Sequence, residues 1–129
     1  MENRNKSYTS IEQSKVLSKI LSPESADMFY CYGMNIETKE WGLDETPTIE
    51  DNYYKKDIGD IPCWSLSALL SVFPKIGADE PMLQKIYYAS DPTERYICEY
   101  SLTNITGEYD NPVDACYEMI LKLNELKMF

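Results

Sequence analysis

Histidine is absent from the chain. Its absence removes the commonest general base, the usual partner of a nucleophilic Ser or Cys, and the commonest transition-metal ligand. Glycine is scarce and scattered: five copies stand singly at 33, 42, 59, 77 and 107, so there is no glycine-rich phosphate loop. The four cysteines, Cys31, Cys63, Cys98 and Cys116, lie 32, 35 and 18 residues apart, without CxxC or other ligand spacing. Each sits in an apolar segment, the pattern of small buried thiols in a reducing compartment rather than of a disulfide framework. Long apolar runs are missing too. The longest uncharged stretch, residues 61–74, has prolines near both ends and three serines, and is too short to cross a bilayer. The opening residues 1–6 lack the apolar core of a signal peptide, so the expectation is a soluble, cytoplasmic protein. In that setting the sequon Asn104-Ile105-Thr106 is accidental.

Positive charge is also in short supply: 12 bases face 22 acids, for a net charge of −10. Residues 1–22 carry +2, residues 23–121 carry −13 and the last eight carry +1. A surface this negative repels phosphate backbones, which argues against direct nucleic-acid binding. It suits a basic partner, and equally serves solubility.

What is present is enough for one core. A chain of 129 residues, 43% hydrophobic, has the composition of a single folded domain. Tyrosine is abundant, 11 copies against 3 phenylalanines, and its apolar body with a polar tip fits half-buried sheet faces as well as binding surfaces.

Residues 1–8 read as a flexible polar tail, with a single α+β domain over 9–129. Thr9-Ser10-Ile11-Glu12 has the capping-box pattern, with Thr9 as the cap, and the pairs Val16/Ile20 and Leu17/Leu21 give an apolar stripe. Pro23 stops this helix or starts a second short turn. Over residues 28–36 the period changes to two: Tyr30, Tyr32, Met34 and Ile36 alternate with smaller residues, which reads as one half-buried strand with a bulge at Gly33. Residues 40–43 supply a partner strand. Residues 44–60 show no period and read as a long loop.

The most hydrophobic segment follows. Leu66, Leu69, Leu70 and Phe73 form one helical face, Trp64, Ala68 and Val72 a second, so this helix is expected inside the fold until Pro74 ends it. Residues 82–89 and 96–102 read as a hairpin through Ser90-Asp91-Pro92-Thr93, with Tyr96, Cys98, Tyr100 and Leu102 on one face. Asn111-Pro112-Val113-Asp114 starts a last helix, whose buried stripe is Cys116, Met119, Ile120, Leu123 and Leu126. The fold class is α+β: a small, mainly antiparallel sheet of three to five strands packed against three helices.

Chemistry has few footholds. The acids Asp44-Glu45 and Glu50-Asp51 can gather oxygen ligands on one loop, but no EF-hand spacing accompanies them and loop acids are ordinarily solvated. Asp110, Asp114 and Glu118 share a helix face, which dipole compensation and solvation explain. Cys63 precedes a helix start, where a thiol pKa falls, but Pro62, Trp64 and the lack of His favour a packed cysteine. No catalytic, cofactor-binding or metal-binding residue is assigned, and no cofactor. The remaining candidate is a surface, Trp41 with Tyr53 and Tyr54 beside Lys55 and Lys56, since aromatics on a scaffolded loop are typical interface anchors. Packing onto the sheet is the alternative for all three.

The phrases Ile61-Pro62-Cys63-Trp64-Ser65-Leu66-Ser67-Ala68-Leu69-Leu70 and Asp110-Asn111-Pro112-Val113-Asp114-Ala115-Cys116-Tyr117-Glu118-Met119-Ile120 stand out, as do Glu12-Gln13-Ser14-Lys15 and Ser25-Ala26-Asp27-Met28. Together they resemble a group of small uncharacterised proteins recurring in gut Bacteroidales genomes, often in prophage or other mobile regions. The resemblance runs from about residue 9 to the end of the chain. It implies a bacterial cytoplasmic or phage-encoded origin and carries over no activity, cofactor or catalytic residue. The same phrases have a structural reading as the most buried helix and the capped final helix.

Three functions fit these observations. The first is a non-enzymatic protein-interaction module of a bacterial mobile element, binding a host or phage protein. The second is an acidic nucleic-acid mimic, whose complexes would weaken steeply with salt. The third is a small-ligand binder or carboxylate enzyme, which needs an apolar pocket with convergent acids.

Overall fold

A computed structural model describes residues 6–49, 59–77, 79–88, 91–100 and 108–129. The chain is α+β, with three helices and seven short strands among these residues. Helix α1 spans Ile11–Leu17, and a 3₁₀ turn covers Pro23–Ser25. Strands β1 (Met28–Tyr30), β2 (Tyr32–Met34), β3 (Trp41–Leu43) and β4 (Ile61–Cys63) follow, then α2 (Leu66–Val72). The chain continues with β5 (Met82–Tyr88), β6 (Asp91–Glu99), β7 (Glu108–Tyr109) and α3 (Pro112–Glu125). The strands do not join into the single sheet expected. They form three antiparallel sheets: β1 with β4, β2 with β3, and β5-β6-β7.

Helix α1 begins one residue later than the first capping pattern suggests. Ser10 is the cap: its Oγ accepts the Gln13 N–H at 3.1 Å, and Gln13 Oε1 accepts the Ser10 N–H at 3.0 Å. Thr9 is fully buried instead. Its Oγ1 accepts the Trp64 N–H at 3.1 Å and shares a 2.8 Å hydrogen bond with Ser14 Oγ. Its own N–H donates to the Trp64 carbonyl at 3.0 Å. Within the segment expected as a tail, residues 6–8 lie against the domain. The Ser7 carbonyl accepts the Leu66 N–H at 3.2 Å, Tyr8 bridges to Ser65, and Lys6 reaches Asp114 at 2.8 Å.

The single strand expected over 28–36 is divided at Cys31. Phe29 and Tyr30 are buried, with β1 paired to β4 in the register Met28↔Cys63 to Tyr30↔Ile61. Tyr30 Oη donates to the Thr9 carbonyl at 2.7 Å, which ties β1 to the start of α1. Past Cys31 the chain leaves the core: Tyr32, Met34 and Ile36 are exposed, and β2 pairs with β3. Gly33 pairs in register with Gly42, so no bulge forms there.

Helix α2 is capped by Ser65, whose Oγ accepts the Ala68 N–H, while the Ser65 N–H and hydroxyl both donate to the Asp27 carboxylate. It ends at Val72 because Phe73, preceding Pro74, is driven into an extended conformation at ψ 129°. Trp64, Ala68 and Leu69 are buried, but Leu70 is exposed, so only one side of the helix is fully enclosed. The hairpin is tighter than expected, with β6 beginning at Asp91 and the Met82↔Glu99 to Ile86↔Arg95 register intact. Cys98 and Tyr100 are buried against the core, as the alternation requires. Helix α3 has the expected Asn111 cap, whose Oδ1 accepts the Asp114 N–H at 2.8 Å, followed by Pro112 in the first turn. Leu126 falls outside the buried stripe and is exposed, since the helix ends at Glu125. There Lys127 turns left-handed at φ 60°, and the Met128 N–H closes on the Leu123 carbonyl at 2.9 Å.

The main core lies between α3, α2, the end of α1 and the inner face of β6. Leu17, Trp64, Leu69, Tyr100, Val113, Cys116, Ile120 and Leu123 form its centre. None of the described helices is long and apolar enough to cross a membrane.

Candidate interaction surface

The sheet of β2 and β3 stands apart from this core and carries Trp41. Residues directly opposite in an antiparallel pair point to the same face, and successive residues to opposite faces. The register Tyr32↔Leu43, Gly33↔Gly42, Met34↔Trp41 therefore puts Tyr32, Met34, Trp41 and Leu43 on one face. The other face has two glycines at its centre. Trp41 is 65% exposed and Met34 52%, and the Trp41 ring stacks on Tyr32 with centroids 6.0 Å apart and planes 26° from parallel. Exposed Ile36 follows in the connecting turn. These are large apolar groups held in water, the composition of an interface anchor.

Local chemistry builds the hairpin. Asn35 Oδ1 accepts the Glu37 and Thr38 N–H groups at 2.8 and 3.1 Å, and the Lys39 N–H returns to the Asn35 carbonyl at 2.8 Å. Lys39 takes the left-handed conformation that closes the turn. At the base of the hairpin Gly59 has φ 97°, and a side chain there would meet the Tyr32 ring at 3.1 Å. Glycine at 59 therefore lets the backbone lie against Tyr32 and holds that ring under Trp41. Asp60 completes the support: its carboxylate accepts the Tyr32 N–H at 2.9 Å.

The surroundings are acidic. Glu37, Glu40, Asp44 and Glu45 are exposed, and with Lys39 they give residues 32–46 a net charge of −3. An open cavity of about 630 Å³ is lined mainly by the glycine face and its rim, including Cys31, Asn35, Glu40, Gly42, Asp44 and Thr46. Glu40, Asp44 and Glu45 all line it, but its wall is more polar than apolar, so it is not the apolar pocket that the ligand-binding or carboxylate-enzyme reading calls for.

The other residues singled out in the sequence disperse. Tyr53 and Tyr54, with Lys55, Lys56, Glu50 and Asp51, lie outside the described residues. Asp44 and Glu45 are exposed, and Asp44 Oδ1 accepts the Thr46 N–H. Asp114 is not a solvated helix-face acid. Its Oδ1 accepts Lys6 Nζ and Gln13 Nε2, both at 2.8 Å, and its Oδ2 accepts Asn111 Nδ2 at 2.8 Å. Among the described residues no three Asp, Glu, Cys or His side chains gather as a metal site would require.

Cys63 is a packed thiol. It is buried, donates to the Thr9 carbonyl at 3.4 Å, and burial pushes its pKa up against the opposing hydrogen bonds from Thr9, Ser14 and Tyr30. Cys98 and Cys116 join β6 to α3 in the core, where the hydrogen bond to Cys98 and then burial raise the Cys116 pKa. Cys31 alone is part-exposed, and burial with the Asp60 and Asp44 charges raises its pKa. Ellman's reagent should therefore label one thiol slowly in the native protein, and all four in urea. Fast native labelling of two or more would contradict the burial of Cys63, Cys98 and Cys116.

Sequence reasoning found Trp41 and missed its companions Tyr32 and Met34, which it assigned to a half-buried strand. The available signal was symmetrical: aromatic-Gly-Met before the Asn35 turn and Trp-Gly-Leu after it, with the glycines in register. Comparison with protein-family models, with curated proteins and with solved structures returned no match to this chain.

Proposed function

We propose that the protein is a non-enzymatic interaction module that engages a protein partner through the Trp41 face of the β2–β3 hairpin. The observation that carries this reading is the stacked, exposed Trp41–Tyr32 pair with Met34 beside it, outside the core and held by a closed turn, Gly59 and Asp60. Among the described residues Trp41 and Met34 are largely exposed and lie outside the buried core, and rigid aromatics are the side chains that anchor interfaces. Free thiols suit a reducing cytoplasm, and an origin in a bacterial mobile element belongs to the same reading.

Trp41→Ser is the variant to make. Because Trp41 is exposed, the substitution should leave stability within about 0.5 kcal/mol. A stoichiometric partner recovered with the wild-type protein should be lost, with affinity down by about thirtyfold or more, the scale of an aromatic hot spot. Undiminished partner binding by a folded Trp41→Ser protein would end this assignment.

A further inference from the structure

The backbone of the hairpin defines how a partner fits it. The Asn35 N–H bonds to the Glu40 carbonyl and the Asp44 N–H to the Cys31 carbonyl, both at 2.9 Å. These bonds lie two residues either side of the Gly33↔Gly42 pair, so that pair is the hydrogen-bonded type and its neighbours turn their backbone groups outward. On the β2 side the Tyr32 N–H is taken by Asp60. On the β3 side Trp41 and Leu43 present N–H and C=O groups to an edge that no other strand covers among the described residues.

We propose that β3 accepts an extended partner segment as a third strand, and that this segment alternates apolar side chains with Lys or Arg. The proposal rests on the interaction reading above and specifies its mode and its partner. A strand added beside β3 would place every second side chain next to Trp41 and Leu43, where an apolar residue is required. The intervening side chains fall on the opposite face, beside Glu40, Gly42 and Asp44. The residue opposite Gly42 meets no side chain there: even an added Cβ at Gly42 has nothing within 4 Å. It lies diagonal to Glu40 and Asp44, so a long cation fills the free space between two carboxylates. A second copy of this chain is the wrong occupant on charge. Each hairpin carries −3 and each chain −10, so edge-to-edge pairing sets like charges against each other.

The test uses the full chain with two short, end-blocked peptides, one alternating valine with lysine and the other valine with glutamate. The lysine peptide should bind at least about tenfold more tightly than the glutamate peptide, with affinity falling as salt rises. It should slow amide hydrogen exchange at Trp41 and Leu43 by about tenfold or more, the mark of new main-chain hydrogen bonds. Gly42→Thr, which has open space for its side chain, should stay folded and weaken the lysine peptide about tenfold by filling the cation's place. Binding that needs Trp41 yet leaves exchange at Trp41 and Leu43 unchanged overturns strand addition while sparing the interaction surface. Equal binding of both peptides, or of neither, overturns the basic partner, and the Trp41→Ser experiment then decides the surface separately. Protection of the same amides in a peptide-free dimer overturns the proposal in favour of a second copy.

Discussion

Replacing Trp64, the largest fully buried side chain among the described residues, by alanine is expected to lower the free energy of unfolding by about 3–5 kcal/mol. Trp64 is completely buried and stands where the N-terminal segment, the end of β4 and the start of α2 meet. It belongs to the buried cluster that includes Leu17, Leu69 and the inner residues of α3, and its Nε1–H donates to Ser25 Oγ at 2.9 Å. Alanine leaves a cavity and removes one of the two hydrogen bonds at Ser25 Oγ, which still donates to the Ser22 carbonyl at 2.6 Å. A small domain has about 5–15 kcal/mol to lose, so the variant keeps only part of its stability. Urea unfolding measures the effect as a lower midpoint at constant slope. Trp64→Phe restores most of the volume without the indole donor, so its cost should be about 1–2 kcal/mol. A Trp64→Ala loss below about 1 kcal/mol would mean that the indole is not packed as described.

The second large effect belongs to Asp114 and depends on pH. This carboxylate joins three elements: Lys6 from the N-terminal segment, Gln13 from the α1 capping box, and the Asn111 cap of α3. Burial pushes its pKa up, but hydrogen bonds from Lys6, Gln13 and Asn111 and the Lys6 charge outweigh burial and hold it below the usual carboxylate range. A depressed folded-state pKa stabilises the folded state above the unfolded-state value of about 3.9, and that contribution is lost as pH falls through the folded-state value. Asp114→Ala should therefore cost about 2–3 kcal/mol at pH 7, because the three hydrogen bonds that Lys6, Gln13 and Asn111 donate to its carboxylate are lost. The gap between wild type and variant should narrow once pH drops below about 4. Thermal melts from neutral to acid pH give both numbers. A gap that stays constant down to low pH would show that the charge of Asp114 does not hold the three elements together.

Both residues also show what a local reading misses. Asp114 was legible as a first-turn acid on α3, because Asn-Pro-x-Asp is a local signal. Its contact with Lys6 spans 108 residues, and no periodicity encodes that distance. The shift of the α1 cap has the same origin. Thr9-x-x-Glu12 and Ser10-x-x-Gln13 both satisfy the capping pattern, and the choice falls to Ser10 because the end of β4 draws Thr9 inward to bond with Trp64. The division of residues 28–36 at Cys31 follows from partners, not propensity. Tyr30 is held inside by the Thr9 carbonyl, while the Tyr32 N–H is held by Asp60, which leaves β2 free to pair with β3 alone.

The sequence by itself determined the α+β class, the three helices, the stop of α2 before Pro74, the buried α3 stripe up to Leu123, and Trp41 as an exposed aromatic candidate, whereas α1 ends at Leu17, well short of Pro23. These follow from local rules: helical period, caps, and prolines that remove a donor and restrict the residue before them. Only the tertiary structure decided how the strands divide into three sheets, which tyrosines face water, and which side of the hairpin carries the apolar group. Strand pairing and burial depend on contacts between segments far apart in the chain, and a period of two reads the same on a core strand as on an exposed hairpin.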